Sequence, residues 1–148
     1  MSSSSDAHRV RIFVFGSMLR GEPDHGLLVN AESLGDAVTV AAYHLIDLGA
    51  YAALIPCGTT SVRGEVYSVD LAARSRIDVA RQVPTLFQRE PVQLVDIDDA
   101  DAYVMTVDQV RGRRRIHHGD WRQRFTTRPR GLAPSPWSAW ARSRFSKP

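Results

Sequence analysis

Residues Ile12 to Leu28 read IFVFGSMLRGEPDHGLL. Four apolar residues, Ile12 to Phe15, run into Gly16-Ser17. A polar, turn-prone segment, Arg20 to His25, follows. A continuous apolar run of this kind suits a strand covered on both faces. Gly16 lets another molecule approach the main chain closely, and Ser17 adds a hydroxyl that both donates and accepts. Such a loop can hold ligand oxygens on its amides, although the same residues also fit an ordinary strand-to-turn junction. Metal chemistry has little support. His117-His118 beside Asp120 is too thin a set of ligands, so no metal is expected. Cys57 is the single cysteine and has no internal partner, which fits a reducing cytoplasm.

The elements that must position these residues are mostly strands. Leu34 to Ala42 alternates in part, Tyr43 to Leu48 continues to Gly49, and Tyr51 to Ile55 is stopped by Pro56. Cys57 to Ser61 reads as a turn. Val62 to Val69 alternates cleanly, with Arg63, Glu65, Tyr67 and Val69 on one side, so Glu65 is expected to face solvent. Asp70 can cap a helix over Leu71 to Ala80 that ends before Pro84, and a second helix is conceivable near Asp24 to Leu28. Phe87 to Asp96, interrupted by Pro91, and Ala102 to Val107 complete about six strands. The acidic DIDDAD segment between them reads as a solvated turn. The fold class is therefore α+β, built on a small twisted sheet or closed barrel.

The chain has 148 residues and is 43% hydrophobic, enough for one domain with a real core. No apolar run approaches a membrane span, and MSSSSDAHR lacks the pattern of a secretory signal. Three regions are expected: a lead of residues 1–9, a domain over 10–125, and a Pro/Arg/Trp-rich extension over 126–148. Charge is unevenly placed. Residues 1–110 carry 8 Arg against 15 Asp and Glu, whereas residues 111–148 carry 11 Lys and Arg against 1 Asp. This asymmetry allows an anionic partner, but no aromatic-basic surface of a nucleic-acid reader is visible, so nucleic acid is not the expected partner. Trp137, Trp140 and Phe145 suggest that the extension packs on something, a second copy of the chain included.

Several segments, in order, resemble the gamma-glutamylcyclotransferase-like proteins, also called AIG2-like or BtrG-like. FVFGSMLRGEPDHGLL is similar to their first strand and loop. YHLIDLGAYAALIP, VRGEVYSVD, RIDVARQVPTLFQREPV, AYVMTV and IHHGDWR follow at family-like spacings. The resemblance spans roughly residues 10 to 124. It implies a small mixed β-barrel with helices outside and a cavity at one end. It also implies a reaction: the alpha-amine of a gamma-glutamyl amide attacks its own side-chain carbonyl, releasing 5-oxoproline and an amine. No cofactor is needed, because the nucleophile is internal and has only to be held close and deprotonated. On this resemblance Phe15, Gly16, Ser17, Met18, Leu19, Gly49 and Tyr51 line the substrate cavity. Phe15 and Met18 stand where Tyr and Leu are commoner.

One departure bears on the chemistry. The family's general base is a Glu in a Leu-Asp-x-x-Glu-Gly-x-Pro segment, and Arg81 falls on it. Arginine, with a pKa above about 12, cannot accept a proton at neutral pH. Arg81 could instead hold a carboxylate or a developing oxyanion, or be an exposed helical arginine paired with Asp78 one turn earlier. Glu22, Asp47, Asp78, Glu65 and Glu90 are the acids that could act as base in its place. Tyr67 and Tyr103 could line the cavity, and Tyr103 joins Arg81 and Glu22 as a candidate catalytic residue. The expected function is a small-molecule enzyme of altered chemistry, acting on an amide, amine or carbonyl metabolite, anionic or carrier-bound, in a pathway such as antibiotic biosynthesis. The alternatives are an ordinary gamma-glutamylamine cyclotransferase with a different base, and a non-catalytic binding protein.

Overall fold

A computed structural model describes residues 9–125. The strands are β1 (Arg9–Val14), β2 (Glu32–Val38), β3 (Tyr43–Asp47), β4 (Ala52–Thr60), β5 (Arg63–Asp70), β6 (Gln88–Val92), β7 (Ala100–Val104) and β8 (Arg114–Arg115). Among the described residues one α-helix, α1 (Leu71–Ala80), follows β5 directly. Short 3-10 turns cover His25–Leu28, Asp108–Val110 and Trp121–Gln123, so the second helix expected near Asp24 to Leu28 is a single 3-10 turn.

The strands form one mixed sheet in the order β2-β5-β1-β7-β4-β3-β8, with β6 paired to β7. The α+β expectation holds, but the closed barrel with several flanking helices does not. Among the described residues no ladder joins β2 to β8, and β8 is only two residues long. The sheet instead curls until the end of β2 meets the chain beyond β6. Thr39 bridges Leu94, Val95 N–H donates to the Val38 carbonyl at 2.9 Å, and Val40 N–H donates to Gln93 at 3.1 Å.

Local chemistry explains most elements. The Asp70 carboxylate accepts from Ala73 N–H at 2.8 Å and caps α1, satisfying one of the amides that a helix start leaves open. β4 does not stop at Pro56. It runs to Thr60, so Cys57 to Ser61 is not the turn its composition suggests. The β3–β4 register shifts between Tyr43 and His44, and a proline is tolerated in a strand at such an irregularity. The core includes Ile12, Phe13, Val14, Leu45, Leu54, Ile55, Val66, Ile77 and Tyr103.

Branching of the sheet at β7 places the loop after β1. β7 pairs in parallel with β1 at Asp101 and with β4 at Val104, so β1 and β4 part at that point. The chain leaving β1 emerges in the gap. Gly16 is required there, because a Cβ at this position would lie 2.7 Å from the Ala52 Cβ.

Candidate functional site

The loop after β1 is folded by its own polar groups. Leu19 N–H donates to the Gly16 carbonyl at 3.0 Å and Asp24 N–H to the Ser17 carbonyl at 2.8 Å. The His25 Nδ1 lies 2.9 Å from the Met18 carbonyl, and its ring packs edge-on against Tyr67. The Leu19 amide is thereby committed to the turn, and Leu19 itself is buried and lines no part of the cleft described below.

Arg81 caps the C-terminal end of α1, where its own N–H donates to Ile77 O at 2.9 Å. Its side chain leaves the helix end and crosses to the loop. It does not pair with Asp78 on the surface, for the residue is only 8% exposed. Arg81 Nη2 donates to Ser17 Oγ at 2.9 Å and to Asp24 Oδ2 at 3.3 Å, and the Ser17 hydroxyl donates to the same Asp24 oxygen at 2.6 Å. The guanidinium carbon lies 5.2 Å from the Tyr51 ring centre and 5.9 Å from that of Phe87, positions that favour a cation over aromatic faces. Burial of the charge is tolerated because it is paired and bonded.

Arg81 separates two spaces. Beneath it a cavity of about 10 Å³ is lined by Phe15, Gly16, Ser17, Met18, Phe87 and Tyr103. Above it opens a cleft of about 550 Å³ whose walls include Ser17, Glu22, Asp24, Gly49, Tyr51 and Trp121. Ser17, Glu22, Gly49, Tyr51 and Arg81 are therefore brought together, while Phe15, Gly16, Met18 and Tyr103 lie at the floor with no room beside them. A larger depression of about 630 Å³ lies over β2 and β5, with Arg63, Asp96, Asp120 and Arg122 on its walls. The smaller cleft is the stronger candidate because it holds the buried, bonded cation.

The acids named from sequence divide by what already binds them. Glu65 does not face solvent: it is 2% exposed. Its Oε1 accepts from the Arg20 amide at 3.0 Å and the Tyr67 hydroxyl at 2.9 Å, and its Oε2 from Arg122 at 3.2 Å. Burial alone would raise its pKa, but the Arg20 amide, Tyr67 and Arg122 together hold it below the ordinary carboxylate value. Burial and this carboxylate push the Tyr67 hydroxyl up to about 12. Asp78 accepts from the Tyr103 hydroxyl at 2.7 Å and pairs with Arg89. Burial first, then Asp78, raise the Tyr103 pKa, so Tyr103 is a poor proton donor at neutral pH. Asp47 accepts from Gly49 N–H and Arg114, both at 2.8 Å. Glu90 lines an apolar groove beside Cys57, apart from the cleft. Glu22 does line the cleft, where Trp121 Nε1 donates to it at 3.3 Å.

Asp24 escapes a reading of the sequence, since nothing in its neighbours marks it as more than a turn residue. Trp121 stands in the family-like IHHGDWR segment with no site role read from it; folding buries it to 1% exposure in the cleft wall. Among the described residues no three His, Cys, Asp or Glu side chains form a metal-binding group. No helix there is long and apolar enough to cross a membrane. A tail-mediated dimer would fall on residues 126–148, outside the described residues.

Comparison with known proteins agrees with this fold. The family model described as "Gamma-glutamyl cyclotransferase, AIG2-like" matches residues 12–123. A Vibrio cholerae protein provisionally named a gamma-glutamylcyclotransferase is 35% identical over 113 residues, covering 76% of this chain and 96% of that one. The gamma-glutamylcyclotransferase family protein YtfP of Escherichia coli is 33% identical over 116 residues, covering 78% and 98%. The solution structure of YtfP superposes with a TM-score of 0.61 at 36% identity, covering 78% of this chain and 98% of that one. A mouse AIG2-like protein shares the fold at a TM-score of 0.67 and 23% identity, covering 87% and 97%. With the family model spanning nearly all of the described chain, the protein belongs to the gamma-glutamyl cyclotransferase, AIG2-like family.

Proposed function

We propose that the protein is a small-molecule enzyme that opens gamma-glutamyl-type amides by internal ring closure, with Arg81 holding an anion. The chemistry is altered in one respect. Where the resemblance expects a proton-accepting glutamate stands a cation, so the proton acceptor lies elsewhere in the cleft. The observation that carries this reading is the buried guanidinium on Ser17 and Asp24 at the cleft floor. Among the described residues only its Nη2 is bonded; Nε and Nη1 meet no acceptor. Those groups suit a substrate carboxylate or the oxyanion of a tetrahedral adduct. Glutamyl groups that protect an amine during biosynthesis, on a free or carrier-bound intermediate, are substrates of this class.

The test is release of 5-oxoproline from gamma-glutamyl derivatives of amines by the full chain. Arg81→Met should raise KM about 10- to 150-fold, the equivalent of about 1.5–3 kcal/mol for a hydrogen bond to a charged group. No 5-oxoproline from the wild type, or a gain of activity in Arg81→Glu, would sink the reading.

A further inference from the structure

We infer that Asp24 is the proton carrier of this ring closure, an assignment that rests on the reading under Proposed function. Each acid near the fold's centre can be judged by whether an oxygen is left for a substrate. Both oxygens of Glu65 are engaged, by Arg20 and Tyr67 on one and Arg122 on the other. Both oxygens of Asp78 are engaged, by Tyr103 and Arg89. Both oxygens of Asp47 are engaged, by Gly49 and Arg114. Glu90 lines a different groove. Asp24 and Glu22 remain.

Asp24 is the better placed. Its Oδ2 takes both the Ser17 hydroxyl, at 2.6 Å, and Arg81 Nη2, at 3.3 Å. Two donors on one oxygen fix the plane of the carboxylate. Its Oδ1 meets no donor among the described residues, and the side chain is 36% exposed, lining the cleft. Glu22 has a longer side chain held by one bond of 3.3 Å. Asp24 also sits against the partly unbonded guanidinium. A cation and a carboxylate in contact, each with free polar atoms, match a ligand that carries an ammonium and a carboxylate on one carbon. A gamma-glutamyl head is such a ligand.

Asp24 Oδ1 accepts a proton from the substrate's alpha-ammonium. The freed amine attacks the gamma-carbonyl carbon, forming the ring C–N bond. The adduct then breaks the original amide C–N bond. The ring nitrogen gives up two protons in all, and Asp24 relays each to the leaving nitrogen, which departs as an ammonium. No oxidant, metal or co-reactant enters.

The experiment compares wild type, Asp24→Asn, Asp24→Gly and Glu22→Gln as full chains, by kcat and KM for 5-oxoproline release, with circular dichroism to check folding. Asp24→Asn should lower kcat by about 10²- to 10⁴-fold, the range for a lost general acid-base group, with KM changed only a few-fold. Formate, a small carboxylate that can enter the vacated space, should restore activity to Asp24→Gly and leave Asp24→Asn unchanged. A residue that merely braced the loop would not be replaced by a diffusible acid. A kcat for Asp24→Asn within about threefold of wild type, with the loss in Glu22→Gln instead, overturns the assignment. Failure of formate on a folded Asp24→Gly overturns it as well, leaving Asp24 a loop brace. A wild type that releases no 5-oxoproline overturns the underlying reading and this one with it.

Discussion

Replacing Glu65 by Gln tests how the loop, β5 and the chain after β8 are held together. The carboxylate is 3% exposed at its side chain and joins Arg20, Tyr67 and Arg122. An amide in its place keeps a neutral oxygen for the Arg20 amide and Tyr67, both of which bond the same atom. Charge-assisted bonds are about twice as strong as neutral ones, so these two lose about 1.5 kcal/mol together on a scale of about 1.5–3 each. The new NH2 faces Arg122, donor against donor. Because the Arg122 side chain is 42% exposed, the lost pair counts for only about 0–1 kcal/mol. The sum is about 1.5–2.5 kcal/mol, and for a domain of this length Tm should fall by about 5–10 °C. The pH dependence has a definite sign. Glu65 has a lowered pKa in the folded protein, so its contribution is present above the unfolded carboxyl value, about 4.3, and fades as pH falls through the lower folded value. Urea unfolding of both proteins from pH 7 down to about pH 3 reads this directly, as a gap that narrows in acid. A gap under about 0.5 kcal/mol at pH 7, or one independent of pH, would refute the reasoning.

Two further substitutions probe the packing. Gly64→Ala would put a Cβ 2.1 Å from the Val14 carbonyl oxygen and 2.7 Å from the Phe13 ring. Forcing β1 and β5 apart should cost about 1–3 kcal/mol or more, seen in thermal melts; an unchanged Tm would contradict the close contact. Tyr103→Phe removes the 2.7 Å bond to Asp78 from a residue 1% exposed. It should cost about 1–2 kcal/mol by denaturant titration, and a neutral result would mean that Arg89 alone satisfies Asp78.

The chain order of helix and strands was legible where one local rule decided it. Asp70, Leu71 to Ala80 and Pro84 carry cap, helix and stop within fifteen residues, and α1 occupies Leu71–Ala80. The apolar run Ile12 to Phe15 likewise announced a strand, and β1 ends there; a ligand-holding role for the loop after it came from the family resemblance. Glu65 went the other way. Alternation along β5 predicts one wet face, but β5 lies between β1 and β2, and both its faces are buried from Gly64 to Tyr67. Period-two patterning reports which residues share a face, not whether that face is later covered.

Composition and local pattern thus determined an α+β domain, a strand running into Gly16-Ser17, and a cation, Arg81, just past the helix over Leu71–Ala80. Only the tertiary structure decided what those residues face. Arg81 and Asp24 are 57 positions apart in the chain and meet because β1 and β4 part at β7 and let the loop reach the helix end. Which carboxylate keeps a free oxygen depends on such long-range partners. A side chain's reach is fixed by its type, but its neighbours are fixed by the path of the backbone.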